Sequence, residues 1–107
     1  MTNTETKVFL FAQIQVSIPF AEFPWTSINA DMKKIPGLRS KTWLSGLGTD
    51  TIGGFYEFES AETARAYADG ALSGYAKAAG GTLSVQLFSG AAVAEASQDM
   101  KSPYFTG

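Results

Sequence analysis

Arg39, Lys41 and Trp43 fall at every second position of LRSKTWLS, and an extended strand turns all three to one side. Two cations beside an indole suit an anionic aromatic ligand, held by charge and by stacking. The same alternation also suits a solvated strand edge. Beyond a glycine-rich turn runs TIGGFYEF, which carries Gly53-Gly54 in the middle of what reads as a second strand. Glycine weakens a strand there unless a bulge or a bulky neighbour needs the space. Glu57 is suited to pairing with Arg39 or Lys41 more than to abstracting a proton.

Two registers fit this hairpin. In the first, Trp43 faces Gly53, Lys41 faces Phe55, Arg39 faces Glu57, Leu44 meets Ile52 and Leu38 meets Phe58. In the second, Trp43 faces Gly54 and Lys41 faces Tyr56. A one-residue slip moves side chains to the other face, so the two are alternatives. The first is preferred because it pairs opposite charges and gathers the aliphatic residues. In both, the missing side chain makes room for the Trp43 ring, either as core packing or as a pocket wall.

The composition narrows the chemistry further. The 107 residues contain no histidine and no cysteine. Structural zinc, His- or Cys-ligated haem, thiol nucleophiles and His-based triads therefore lose their essential atoms. A hard-cation site built from carboxylates stays open, although no acidic cluster resembles a calcium loop, and no glycine run fits a phosphate loop. Eight Lys and Arg against ten Asp and Glu make no basic field, and nucleic acid is not an expected partner. No apolar run approaches the ~20 residues of a membrane span. The polar start, MTNTETK, does not read as a signal peptide, and a cytoplasmic location is expected.

The elements that must position these residues emerge from periodicity. The length suits a single domain over 1–107, with 1–6 as a flexible tail and 91–107 as a C-terminal extension holding one short helical turn. Residues 7–18 alternate as a strand that Pro19 ends, with Val8, Leu10, Ala12, Ile14, Val16 and Ile18 on one side. Trp25, Ile28, Met32 and Ile35 form a helical stripe between Pro24 and Pro36-Gly37. Ser60 is a candidate N-cap with Glu62 in the first turn. A face of Ala64, Tyr67, Ala68, Ala71, Leu72, Tyr75 and Ala79 comes next, and Gly80-Gly81 stops the helix. Gly70 and Gly74 inside it point to a kink or to close packing on the sheet. Residues 82–88 alternate again.

The order is β-α-β-β-α-β, a ferredoxin-like α+β fold with two helices on one face of an antiparallel sheet. The first strand is apolar on both sides, since Phe9 and Phe11 oppose its aliphatic face. Two helices cover one side, so a homodimer joined through its sheet faces is expected.

Pro36-Gly37, Lys41-Thr42-Trp43, Gly53-Gly54-Phe55-Tyr56-Glu57-Phe58 and Ala64-Arg65-Ala66-Tyr67 succeed one another with a spacing that resembles the YdhR-like monooxygenase family. The likeness spans residues 7–95 in outline and is sharp from 36 to 67. It implies a dimeric α+β barrel and a cleft between sheet and helices. It also implies oxygenase activity without bound metal or flavin, on a small aromatic or polyketide-like phenol whose own anion reduces oxygen. In that scheme Trp43 and Tyr56 orient the ring and Lys41 or Arg39 stabilises the phenolate or reduced oxygen. Tyr67 closes the cleft, with Phe55 and Glu57 among the substrate-contacting residues. The haem-degrading relatives of this architecture use an axial histidine, which this chain lacks. The alternative is a non-catalytic homodimer that carries or senses a small apolar or aromatic ligand.

Overall fold

The computed structural model describes residues 7–16 and 20–105. Strand β1 (Val8–Gln15) leads to helix α1 (Trp25–Met32), then to strands β2 (Leu38–Ser45) and β3 (Thr51–Phe58). Helices α2 (Ala61–Tyr67) and α3 (Ser73–Ala79) are joined by a π-helical turn over Ala68–Leu72, and strand β4 (Leu83–Ser89) and helix α4 (Ala94–Asp99) complete the order. The four strands form one antiparallel sheet in the order β2-β3-β1-β4. This is the ferredoxin-like arrangement expected from the alternation. The expected N-terminal tail, and the end of the first strand at Ile18-Pro19, lie outside the described residues.

One face of the sheet carries Val8, Leu10, Ala12, Ile14, Ile52, Tyr56 and Phe58, which pack with Met32, Ala64, Tyr67, Leu72 and Ala76 into the core. Each large apolar side chain buried there contributes on the order of 1.5–3 kcal/mol. Helix α1 is shorter than its stripe: Met32 is buried, whereas Trp25 is 43% exposed and does not join the core. The Ser60 hydroxyl caps α2 by accepting from the Thr63 amide at 3.1 Å. Gly80 ends α3 in the left-handed conformation (φ 70°), which a residue without Cβ adopts freely. Gly70 and Gly74 do not mark close packing, since a Cβ at either would meet open space. Gly70 sits inside the π-helical turn that joins α2 to α3.

The hairpin register departs from the preferred expectation. Leu38 does pair with Phe58, but a bulge at Arg39 shifts the rest of the strand. Ser40 pairs with Glu57, Lys41 with Tyr56, Trp43 with Gly54 and Leu44 with Gly53. The inserted residue lets each half of the hairpin obey its own side-chain pattern. Arg39 stays with Glu57, its guanidinium 3.2 Å from the carboxylate, while Lys41 and Trp43 turn to the helix-covered face.

The opposite face is covered in part by the C-terminal segment of the same chain. Residues 103–105 fold back as a short helical turn over it. Tyr104 and Phe105 meet the Phe9 ring edge-on at 5.7 and 5.8 Å, and Phe9 is buried. Lys7 clamps this segment by donating to the Tyr104 carbonyl at 2.8 Å and to Glu57 at 2.9 Å. The tail thus covers part of the second apolar side. Leu44, Phe88 and Val93 keep 37%, 44% and 47% of their surface exposed.

Candidate active site

The site grows from the consequence of the bulge. With Lys41 opposite Tyr56 and Trp43 opposite Gly54, three side chains converge under helix α1. The Lys41 Nζ lies 3.2 Å from the centre of the Trp43 indole and 4.9 Å from that of the Tyr56 ring. Its hydrogen bond goes to the Met32 thioether at 3.5 Å, a weak acceptor. Among the described residues no carboxylate forms an ion pair with it; Glu57 pairs with Lys7 and Arg39 instead. Burial therefore pushes the Lys41 ammonium down from its ordinary 10.5 to about 7.

Trp43 is held on three sides. Its Nε1 donates to the Asn29 Oδ1 of α1 at 2.9 Å, and Phe20 and Phe23 meet the indole edge-on at 5.3 and 6.0 Å. Such aromatic pairs add about 0.5–1.5 kcal/mol each beyond their buried area. Tyr67 of α2 donates its hydroxyl to that of Tyr56 at 3.1 Å. Burial pushes Tyr56 up to about 12, and burial beside Tyr56 raises Tyr67 further. Neither phenol is a base near neutrality. Burial, with the Asp31 carboxylate nearby, also raises Tyr75 on α3.

Two spaces meet at Lys41. A narrow, almost wholly apolar pocket of about 20 Å³ runs inward, with Ala12, Ile14, Ile52 and Leu72 in its wall. An open groove of about 470 Å³ runs outward between α1 and the edge strand β2, bordered by Asn29, Lys33, Leu38 and Ser40. Met32, Lys41 and Trp43 belong to both walls.

Of the seven candidate residues, Lys41, Trp43, Tyr56 and Tyr67 come together. Phe55 and Glu57 lie on the other face of the sheet, and Arg39 stands at the edge of the outer groove. Phe55 stacks on Phe9 at 4.9 Å on the opposite face of the sheet. Glu57 is buried on that same face between Lys7 and Arg39. Arg39 borders the outer groove, but its guanidinium reaches across to Glu57. The space above the glycines also differs from expectation. A Cβ on Gly54 would meet Lys41 Cε at 2.7 Å and the Tyr56 ring at 2.8 Å, so the gap accommodates the lysine stem and that phenol, not the indole. A Cβ on Gly53 would lie 2.5 Å from the Ala12 carbonyl oxygen, so that glycine serves the approach of β1 and β3.

Asn29, Phe20, Phe23 and Tyr75 were not identifiable as site residues from periodicity. A signal existed for Asn29, which stands four residues after Trp25 on the helix that covers Trp43. Among the described residues no three His, Cys, Asp or Glu come together as a metal site, and no helix is long and apolar enough to cross a membrane.

Residues 14–101 match the family described as "Putative mono-oxygenase ydhR". The chain belongs to this family. The ydhR match takes in all of β2, β3 and the helices above them, and so every residue of the converging group. Among solved structures, a mutant of SnoaB, a cofactor-independent oxygenase from Streptomyces nogalater, superposes with a TM-score of 0.58 at 21% identity. That alignment covers 78% of this chain and 91% of SnoaB, a likeness of fold. No curated protein matches the chain.

Proposed function

We propose that this ydhR-family chain is a cofactor-independent monooxygenase that oxidises a small aromatic or polyketide-like phenol with dioxygen. The observation that carries the reading is Lys41. Among the described residues its amine has no carboxylate partner, and it is set against an indole where an apolar pocket meets an open groove. A buried amine near neutrality both takes a proton and, once charged, holds the anion it has made.

The chemistry then needs little else. A phenol whose ring carries an activated CH₂ stacks on Trp43 and gives one proton to Lys41. The resulting carbanion passes one electron to O₂, and the superoxide forms beside the Lys41 ammonium. The radical pair joins in a C–O bond, and Lys41 returns its proton to the peroxide. Loss of the second C–H proton with cleavage of the O–O bond leaves a ketone and one water. One O₂ is consumed for each CH₂ converted to C=O. The Tyr56–Tyr67 pair holds the wall of the cleft and stays protonated throughout.

An oxygen electrode tests this with anthrone- and hydroquinone-like compounds. Stoichiometric uptake is expected, with Trp43→Ala lowering turnover by about 10²-fold through lost orientation. Wild-type turnover in that variant would remove Trp43 from the mechanism. A compound that copurifies and is released unchanged under oxygen would instead make the chain a carrier or sensor.

The homodimer belongs to the same proposal. Phe88 and Val93 remain half exposed beside an apolar groove of about 530 Å³ that Phe9, Phe55, Tyr104 and Phe105 also line. A second sheet face laid there completes the barrel. Sedimentation at micromolar concentration should give twice the 11.4 kDa chain mass; a folded monomer would refute the barrel.

A further inference from the structure

We infer that the two spaces meeting at Lys41 divide the reactants, with dioxygen in the inner apolar pocket and the organic substrate in the outer groove. This rests on the oxygenase reading above. The inner pocket holds about 20 Å³, room for one small molecule and far too little for an aromatic ring. Its inner wall is Ala12, Ile14, Ile52 and Leu72, all but closed to solvent. A water there would need two to four polar partners. Of the polar side-chain ends in its lining, the Lys41 amine, the Trp43 Nε1 and the Tyr56 hydroxyl already have partners in Met32, Asn29 and Tyr67, with the Tyr75 hydroxyl the fourth. A dry apolar space of this kind takes an apolar gas more readily than water. The outer groove, at about 470 Å³, falls within the range of small-molecule sites, and Asn29, Ser40 and Lys33 give it polar groups.

The division also puts each partner on its own side of the amine. A ring in the groove stacks against Trp43 from outside. Its reacting carbon faces inward past Lys41, and the oxygen that accepts its electron waits in the pocket. Superoxide then forms within reach of the Lys41 ammonium.

Crystals of the full chain under xenon pressure test the pocket without any substrate. A xenon peak is expected among Ala12, Ile52 and Leu72. Ala12→Val, which fills the pocket from the sheet, should abolish that peak and raise KM for O₂ at least fivefold while KM for the phenol changes less than twofold. Leu72→Phe, which fills it from the helices, gives the same readout should Ala12→Val not fold. No xenon at this position overturns the assignment. So does an unchanged KM for O₂ in a filled pocket, or a parallel rise in both KM values. A xenon peak in a protein that takes up no oxygen with any phenol overturns the oxygenase reading instead, and the role of the pocket in it.

Discussion

Lys41→Met is expected to give a chain that is more stable at pH 7 and inactive. The two effects have one source. In the unfolded chain Lys41 binds its proton up to 10.5, while in the fold burial lowers this to about 7. Between those values the unfolded state holds a proton that the native state lacks, so native stability rises with pH across this window. Below about 7 the full cost of burying the amine is present. A shift from 10.5 to about 7 corresponds to about 5 kcal/mol at 1.36 kcal/mol per unit. Methionine keeps the apolar stem and removes the charge, so a gain of about 4 kcal/mol is expected at pH 7, shrinking toward zero by pH 10.5. Urea denaturation at both pH values measures it. Oxygen uptake by the wild type should rise with pH through about 7 as the amine is freed, and the variant should show neither the rise nor the rate. Equal stabilities at pH 7 would mean that Lys41 reaches solvent, and its part in proton transfer would be lost.

The alternation of residues 7–16, 38–45 and 82–88 made the sheet legible, because a half-buried strand prints its two faces directly into the sequence. Lys41, Trp43 and Tyr56 were legible as candidates, but as a group only in the second, less favoured register. Their convergence depends on the bulge at Arg39, and no residue in LRSKTW announces it. A regular ladder from Leu38 puts Arg39, Lys41 and Trp43 on one side. One extra residue leaves the arginine with Glu57 and turns the other two under α1. The contribution of Tyr104 and Phe105 was hidden for a related reason. SPYF has no periodicity, and only the three-dimensional neighbourhood of Phe9, Thr42 and Lys7 gives those rings a place. Both cases turn on non-local contacts that override local pattern; the first decides which residues reach the site and the second what covers the opposite face of the sheet.

The adjacent glycines should separate fold from chemistry. Gly53→Ala puts a methyl 2.5 Å from the Ala12 carbonyl oxygen, which is backbone held in the ladder between β1 and β3. Neither strand can move without disturbing the centre of the sheet, so a loss of about 3 kcal/mol or more is expected. Gly54→Ala meets softer matter. Its methyl would press on Lys41 Cε at 2.7 Å and on the Tyr56 ring at 2.8 Å. That ring is fixed by its hydroxyl contact with Tyr67 and by packing on Phe58 at 6.2 Å, whereas the lysine stem is free to swing outward. The amine then leaves the indole for solvent. Thermal unfolding should show a loss of about 1–3 kcal/mol, because the methyl still presses on the fixed Tyr56 ring after the lysine has moved, partly offset by relief of the buried charge. Turnover should fall at least tenfold, and the pH at which activity rises should move upward from about 7 as Lys41 regains its ordinary affinity for protons. Denaturation midpoints and pH–rate profiles of the two variants separate these effects. A Gly54→Ala protein with the wild-type rate and profile would show that Lys41 need not lie against the rings to do its chemistry.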